Sequence, residues 1–587
     1  MLNRRNYLLG TASLLFATSR SATAQTNGGS NELRDVFAMP NYRAPSANLQ
    51  FLKNAQEQRV APPKDTAAFQ AYLTRLPLFQ KITTGVGPEL YHLLQWNALA
   101  LDLTALDHTT LATSSGSDPL YAEQFGPHRS SWALAIIHLA IFEAVNAIYQ
   151  RAQSYKGVQA KIFSAVGRTA KDVNETKASV RSAIAVAAHD AMIALYPNKS
   201  SLVEAHYRQL VPVIPDGPEQ QGLGSAIGEA AAAQILALRK YDLASKVFGD
   251  GSQSDGTTTL KKGMNNSLDL EPSAASLFPS PTAEDWRVDP ITGIPKAIGG
   301  NWKYVEPFVL DAKQLFLPPD PPKQGTAEFQ KAYDDVRSNG GDPSPVALGA
   351  RRPTRTLRTG VSPSDPLDDK NETFKAIYWA YDGTALLCAP PRMYNMIATS
   401  VALNEHPITE VPEMARYLAL INVILADCGI AAWTAKYGNH LARPVTWIRL
   451  HDPDKSQDGT LNKDWTPLGA PVDNSSPASA NLTPPFPAYP SGHAVFGGGL
   501  FQALRKLHAG DLKFDFVSDE YNGLNRGPTG ETRPHVPRTF QSFTDAEREN
   551  GRSRIWLGIH WQFDADAGIK QGNAIADHIL ANALQKI

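Results

Sequence analysis

Residues 131–149 read SWALAIIHLAIFEAVNAIY, and this stretch decides the fold class. Ile137, Ile141 and Val145 lie four residues apart, so a helix places them on one wide apolar face. Helices are also predicted at residues 176–196, 202–211, 222–241, 374–380, 391–404, 414–437, 493–508, 546–557 and 560–584. The apolar–polar alternation typical of strands is nearly absent. The sequence therefore predicts a mainly α protein with two helical bundles of the four-helix type, joined by long loops.

The pattern divides the chain into five parts. Residues 1–24 resemble an export signal, and residues 25–125 are predicted as N-terminal loops and short helices. An N-terminal helical bundle at 126–245 is followed by a mostly irregular connection rich in Gly, Pro and Ser at 246–360, whose Trp, Tyr and Phe content predicts that it packs on the protein. Residues 361–587 are predicted to form a C-terminal helical bundle that carries a candidate anion site.

The first 24 residues have the features of a twin-arginine signal. Arg4 and Arg5 precede an apolar run that ends near Ala17, and small residues up to Ala24 offer a cleavage site. An ordinary secretory signal with a chance arginine pair is the alternative. Either signal predicts an exported protein, periplasmic or secreted. No later uninterrupted apolar stretch reaches about 18 residues, so no transmembrane segment is predicted.

Composition limits the classes of partner and of scaffold. The formal net charge is −1, so no overall field favours nucleic acid or an anionic membrane. The chain has 2 cysteines, Cys388 and Cys428, which is too few for a disulfide scaffold. Both cysteines lie in apolar, helix-like segments and are predicted to be buried thiols. The oligomeric state is left open by the sequence.

Three short motifs in the last third of the chain carry the candidate chemistry. They combine three cations, a hydroxyl, a glycine amide, two imidazoles and one carboxylate. The motifs are Lys436-x6-Arg443-Pro444, Pro490-Ser491-Gly492-His493 and Ser553-Arg554-x5-His560-x3-Asp564. Cations at a helix C-terminus and a serine at an N-terminus are common structural features by themselves. All three motifs in order predict a site for a tetrahedral oxyanion such as phosphate or vanadate.

The other histidines receive a simpler interpretation. His138, His189, His206 and His578 occur singly on predicted helices and are expected to be packed or surface residues. His440 lies inside the first motif, so its role is left open. Asp564 follows His560 by one helical turn and is expected to orient an imidazole, that of either His560 or His493.

The residues around these motifs resemble a known family. Residues 378–383 read YWAYDG, 390–392 read PPR, 484–493 read PPFPAYPSGH and 553–564 read SRIWLGIHWQFD. This set is similar to the vanadium-dependent haloperoxidases, in particular their fungal chloroperoxidase branch, within the acid phosphatase and haloperoxidase superfamily. The resemblance covers about residues 374–570 and fades before residue 340.

The resemblance implies a role for each residue of the site. Vanadate would bond to His560 through a ring nitrogen, and His493 would act as the acid/base. Lys436 would also polarise peroxide, and Asp382 would orient an arginine. Trp433 and Phe486 would form an aromatic halide pocket. The residues implied to hold the oxygens of vanadate are Lys436, Arg443, Ser491, Gly492 and Arg554.

The implied activity is oxidation of bromide, and of chloride to an undecided extent, by hydrogen peroxide. The product, hypohalous acid, would halogenate a small organic acceptor that the sequence does not identify. One alternative is a phosphomonoesterase of the same superfamily, with His560 as nucleophile and His493 as general acid. Another is an oxyanion-binding protein without catalytic activity, which would not need His493.

Overall fold

The structure, a computed structural model, describes residues 86–108, 122–239, 242, 271–282, 284–290, 295–341, 371–382, 387–405, 407–451, 465–470, 483–523 and 534–587. The export signal, residues 25–85 and much of the predicted connection lie outside the described residues.

Helices dominate the described chain, as the sequence predicts. Those before residue 340 are α1 (Pro88–Asp107), α2 (Pro127–Tyr149), α3 (Val158–Val166), α4 (Ala170–Thr176), α5 (Val180–Leu195), α6 (Ser200–Leu210), α7 (Pro218–Arg239), α8 (Ala274–Leu277) and α9 (Ala327–Asn339). Those after it are α10 (Glu372–Tyr378), α11 (Pro390–Asn404), α12 (Val411–Asn439), α13 (Pro444–His451), α14 (Gly492–Leu507), α15 (Phe543–Trp556) and α16 (Gln562–Asn582). Two short antiparallel strands, β1 (Phe514–Phe516) and β2 (Arg538–Phe540), precede α15.

Several elements differ from the sequence-based expectation. The helix predicted at 176–196 begins only at Val180, because Lys177 has a left-handed backbone and Ser179 caps the start of α5 by accepting from Ser182 N; α4, which ends at Thr176, was not predicted. Helix α1 has 20 residues where only short helices are expected. Helix α9 lies within the connection, which was expected to be mostly irregular. Each of these depends on local capping or packing that apolar periodicity does not report.

Helices α2 and α12 form the middle of the molecule. Both are apolar on nearly all sides and are buried on nearly all sides, which is what an all-round apolar helix requires. By length and composition alone both could cross a membrane, but 94% of the relevant stretch of each is covered by the rest of the protein. Because α2 belongs to the N-terminal bundle and α12 to the C-terminal bundle, their packing gives the two bundles one continuous apolar core.

The connection is tied to this core by one carboxylate. Asp427, on α12, accepts from the backbone N–H groups of Phe308 at 2.6 Å, Val309 at 2.9 Å and Leu310 at 3.0 Å. Trp302 and Phe308 are buried, so the aromatic part of the connection packs as its composition predicts. Cys388 and Cys428 are both buried, as predicted, and form no disulfide.

Glycines bring α14 and α16 into close contact. A Cβ on Gly498 would lie 2.6 Å from Ile569 O, and a Cβ on Gly572 would lie 2.1 Å from Val495 O. No other residue type fits at either position without moving a backbone. The contact determines where the N-terminus of α14 lies relative to the start of α16.

We therefore expect Gly572→Ala to destabilise the protein by about 1–3 kcal/mol, because its methyl group overlaps a backbone carbonyl. The matched control is Gly222→Ala in α7, where a Cβ meets nothing within 4 Å. That change should be neutral or stabilise by about 0.4–1 kcal/mol, since alanine restricts the unfolded chain. The midpoint of unfolding, followed by circular dichroism, measures both. Equal midpoints for the two variants would contradict the proposed close contact.

Candidate oxyanion site

The three motifs meet at the ends of five helices. Lys436 lies in the last turn of α12 and Arg443 directly precedes α13. Ser491 and Gly492 begin α14, Arg554 lies in the last turn of α15, and His560 lies just before α16. The residues of this site are 6% exposed or less: Lys436, Arg443, Ser491, His493, Arg554, His560 and Asp564.

Arg443 and His560 are in direct contact. Arg443 Nη1 donates to His560 Nε2 at 2.9 Å and to Ile559 O at 2.8 Å. Its Nε donates to Phe486 O at 2.9 Å. Within the described chain its Nη2 is buried and has no partner. A buried guanidinium with an unused N–H group needs an acceptor, because leaving such a group unsatisfied costs about 1–3 kcal/mol or more.

Asp564 holds the imidazole of His560. Its Oδ2 accepts from His560 Nδ1 at 2.8 Å and from Trp561 N at 3.0 Å. His560 Nδ1 therefore carries the proton and Nε2 presents its lone pair towards Arg443. Burial, together with the charge of Arg443, keeps the pKa of His560 well below its usual value, while burial raises that of Asp564 to about 7. Of the two histidines considered, it is His560 that Asp564 orients.

Arg554 pairs with Asp382. Arg554 Nη2 lies 2.6 Å and 2.5 Å from the two carboxylate oxygens, and both side chains are buried. The pair has the geometry expected of an aspartate that orients an arginine. Arg554 Nε is buried without a partner among the described residues, so one donor of the guanidinium stays available.

Ser491 is not a side-chain cap. It occupies the position before α14, but its hydroxyl makes no capping hydrogen bond and is buried without a partner in the described structure. Its backbone N–H donates to Asp564 O at 3.0 Å, which joins the start of α14 to the first turn of α16. A Cβ on Gly492 would lie 3.3 Å from the Trp433 ring, so the glycine lies close against that ring. The first N–H groups of α14 have no partner within the helix and attract an anion.

Lys436 is held differently from the expectation. Its Nζ donates to the carbonyls of Pro487 at 2.9 Å, Ala488 at 3.0 Å and Pro490 at 2.6 Å. These three bonds use all the protons of an ammonium group. Burial, with the nearby charge of Arg443, holds the pKa of Lys436 well below its usual value. To contact an anion directly, Lys436 would have to share or release one of these carbonyls.

His493 faces Ala380 and Asp382. Its Nε2 lies 2.7 Å from Ala380 O, so Nε2 donates and Nδ1 keeps a lone pair, 3.7 Å from Asp382 Oδ1. Burial and the charge of Arg554 lower its pKa well below the usual value. The ring is therefore neutral at pH 7 and can accept a proton at Nδ1.

Trp433 and Phe486 form one wall next to the cations. Their ring centroids are 4.9 Å apart. Lys436 Nζ lies 5.1 Å and the Arg443 guanidinium 5.0 Å from the centroid of Phe486, and both are cation–π contacts. The wall is buried and apolar, so a ligand beside it loses water.

Sequence reasoning did not identify the groups that hold the start of α14. Tyr394 Oη donates to His493 O at 2.9 Å, and Asn550 Nδ2 donates to the same oxygen at 3.0 Å. Tyr394 Oη also lies 3.0 Å from Asn550 Oδ1. Asn550 precedes the third motif by only three residues, but a lone asparagine on a helix carries no signal of such a role.

The remaining histidines lie away from the site or in packing roles. His138 bonds Leu134 O and Asn97, as a packed histidine does. His189 contacts Asp190 and Glu204 near the surface. His440 Nδ1 lies 2.6 Å from Asp285 Oδ1, and the His440 side chain is 43% exposed. Its position in the first motif therefore does not bring it into the site.

The electrostatics favour an anion. Three cations lie close together; burial, with the charge of Arg554, lowers the pKa of Arg443 to about 10, and burial, with the charge of Arg443, lowers that of Lys436. Two carboxylates, Asp382 and Asp564, compensate part of the charge. Buried positive charge that remains uncompensated is stabilised by an anionic ligand. Donor atoms without partners on Arg443, Arg554 and Ser491 fit the oxygens of a tetrahedral oxyanion. The fold and the site thus define a mainly helical protein with a buried candidate oxyanion site.

Comparisons with known proteins agree with this class. Residues 416–587 match a family model described as the VCPO second helical-bundle domain. The chain is 28% identical to the vanadium chloroperoxidase of Curvularia inaequalis over 533 residues, which cover 82% of this chain and 80% of the fungal protein. That match is too long to lie within residues 374–570, so the resemblance extends further towards the N-terminus than the motifs indicate.

Two solved structures share the fold. A bacterial vanadium-dependent iodoperoxidase superposes with a TM-score of 0.56 at 22% identity, over 84% of this chain and 96% of that one. A holo-type bacterial vanadium-dependent chloroperoxidase superposes with a TM-score of 0.52 at 17% identity, over 80% of this chain and 94% of that one. Residues 416–587 thus match a domain model of the vanadium haloperoxidases, and the chain as a whole is similar to these enzymes in sequence and shares their fold.

Asp564→Asn should weaken oxyanion binding about 10–100-fold, because the carboxylate that orients the binding imidazole and makes it more basic is lost. The matched control is Asp566→Asn, two residues along the same helix, where the side chain is exposed. Titration calorimetry with orthovanadate measures both affinities. Wild-type affinity in the Asp564 variant would show that His560 does not need this carboxylate.

Proposed function

We propose that this protein is a vanadate-dependent haloperoxidase that oxidises bromide, and chloride more slowly, with hydrogen peroxide. The hypohalous acid produced then halogenates small organic acceptors. The observation that carries the proposal is the set of buried donors without partners in the described structure, Arg443 Nη2, Arg554 Nε and Ser491 Oγ. Beside them lies the lone pair of His560 Nε2, which accepts from Arg443 Nη1 here and would be given up to vanadium. These atoms match what a covalently held oxyanion needs.

The residues fit vanadate as follows. His560 Nε2 would bond to vanadium, and Arg443, Arg554, Ser491 and the amide of Gly492 would donate to the oxygens. Bound vanadate supplies a Lewis-acidic centre that activates hydrogen peroxide towards halide without changing its own oxidation state. Because three carbonyls already accept from Lys436, we propose that it acts mainly by its charge, and that polarisation of peroxide requires it to release one of them.

The reaction consumes one proton: halide, hydrogen peroxide and a proton give hypohalous acid and water. His493 is suited to move protons, because its Nδ1 carries a lone pair and its depressed pKa keeps the free base populated. We propose that it accepts a proton from incoming peroxide and returns it to the leaving oxygen. Ala380 O and Asp382 hold the ring in the orientation that this requires.

Halide oxidation is favoured by the aromatic wall. Trp433 and Phe486 exclude water from one side of the site, and a halide that has lost water is more reactive. Phosphate would fit the same donors, and the phosphomonoesterase alternative would use His560 as nucleophile and His493 as acid. The tests below separate the two. We also propose that the protein acts outside the cytoplasm, where the export signal would deliver it.

Purified protein loaded with vanadate should brominate monochlorodimedone in the presence of peroxide and bromide, and lose this activity when vanadate is removed by a chelator. We expect this because the donors without partners fit the oxygens of vanadate and the aromatic wall removes water from the halide. The control is hydrolysis of p-nitrophenyl phosphate by the vanadate-free protein. Fast ester hydrolysis without halogenation at saturating vanadate would assign the protein to the phosphatases.

His560→Ala should abolish tight vanadate binding, because the single protein atom that bonds to vanadium is removed. His493→Ala should keep most of the affinity while turnover falls about 10²–10⁴-fold, the usual worth of general acid/base help. His440→Ala is the control, since this histidine belongs to the first motif but faces Asp285. Calorimetry and bromination rates give the two quantities. Equal loss of affinity in the His560 and His493 variants would refute this division of roles.

A further inference from the structure

The halide side of the site has a support in the N-terminal bundle. The Trp433 ring lies 5.3 Å from the imidazole of His128, centroid to centroid, at an angle of 30°. His128 is in the first turn of α2 and is fully buried. Trp433 is therefore in contact both with the anion site, through Phe486, and with residues more than 300 positions away in sequence that none of the three motifs includes.

A buried carboxylate organises this contact. Glu271 Oε1 lies 3.3 Å from His128 Nε2 and 3.3 Å from Arg129 Nε. Its Oε2 accepts from Gly299 N at 2.7 Å. Burial opposes ionisation here, but the hydrogen bond from His128 and the charge of Arg129 outweigh it and hold the pKa of Glu271 below its usual value. One ionised carboxylate thus accepts from three buried donors.

Residues 298–299 lie between Glu271 and the aromatic wall and are hydrogen bonded to both sides. Trp433 Nε1 donates to Ile298 O at 3.0 Å, and Ile298 N donates to Pro485 O at 3.0 Å, next to Phe486. Gly299 has a φ of +76°, and a Cβ there would lie 2.1 Å from Trp433 Cδ1. The segment is therefore packed directly on the indole edge and is hydrogen bonded to Trp433 and to the residue that precedes Phe486.

We propose that Glu271 is a positioning residue for the halide pocket. It holds His128 against the Trp433 ring and Gly299 against the edge of that ring. The proposal rests on the proposed haloperoxidase function. It assigns to the start of α2 in the N-terminal bundle, and to the connection that carries Glu271 and Gly299, a part in halide selection, while the oxyanion is held by the C-terminal bundle alone. Glu271 touches neither the oxyanion donors nor His560.

Glu271→Gln is the direct test. Glutamine keeps the shape, but it has one acceptor oxygen and an NH₂ group, which must face at least one of the three N–H donors. We expect the bromide KM to rise at least about tenfold, the usual effect of disturbing a supporting residue, with the orthovanadate Kd changed less than about threefold. In vanadate-free protein, the emission of Trp433, obtained by subtracting the spectrum of Trp433→Phe, should shift to longer wavelength.

Glu143→Gln is the matched control. Glu143 is on α2, the helix that carries His128, and is buried. It accepts from Ser154 Oγ at 2.8 Å and from Tyr155 N at 2.5 Å, and has no contact with the site. This variant should leave the bromide KM and the Trp433 emission at wild-type values. If Glu271→Gln does not fold, His128→Gln serves in its place, because it removes the ring from Trp433 and keeps an N–H near Glu271.

Three outcomes would overturn the proposal: unchanged bromide KM and emission in the Glu271 variant, an equal rise of KM in the Glu143 control, or a loss of vanadate affinity in proportion to the change in KM. Failure of the haloperoxidase function itself is recognised separately. In that case no variant brominates, while the emission of Trp433 still reports whether Glu271 positions the ring.

Discussion

The burial of three cations in one place is the constraint on which the rest of the structure depends. Charges removed from water are costly unless partners compensate them, and like charges close together raise the cost. The protein meets this cost with two carboxylates and several backbone carbonyls. Arg554 is paired with Asp382, Arg443 donates to Ile559 O and Phe486 O, and Lys436 donates to three carbonyls. The remaining positive potential is what an oxyanion uses.

These partners require backbone segments to be held accurately. The carbonyls that accept from Lys436 belong to the proline-rich segment that leads into α14, and so the lysine also anchors the segment that carries Ser491 and His493. The close approach of α14 and α16 at Gly498 and Gly572 places this segment next to His560. Small residues in the helix contact and polar partners in the site are therefore two parts of one arrangement.

The two bundles contribute differently to the proposed site. Every donor to the proposed oxyanion comes from the C-terminal bundle, whereas the aromatic wall is supported from both. Because α2 and α12 share one core, a residue at the start of α2 can contact a tryptophan in α12. Loading of the oxyanion and choice of halide can thus depend on different parts of the same fold.

The sequence by itself determined the mainly α class, the order of most helices and which residues gather at the candidate oxyanion site, because apolar periodicity and closely spaced motifs are local properties. The break at Lys177, the helix at Ala327–Asn339 and the short strands depend on capping and packing, which periodicity does not report. Only the tertiary structure decided that Asp564 orients His560, that Lys436 is bound by three carbonyls, and that Glu271 bonds to His128 and Gly299 beside Trp433. Most of these contacts join backbone atoms or residues far apart in the chain, and the choice between two histidines for Asp564 depends on the directions of the side chains. Neither leaves a pattern in the order of the amino acids.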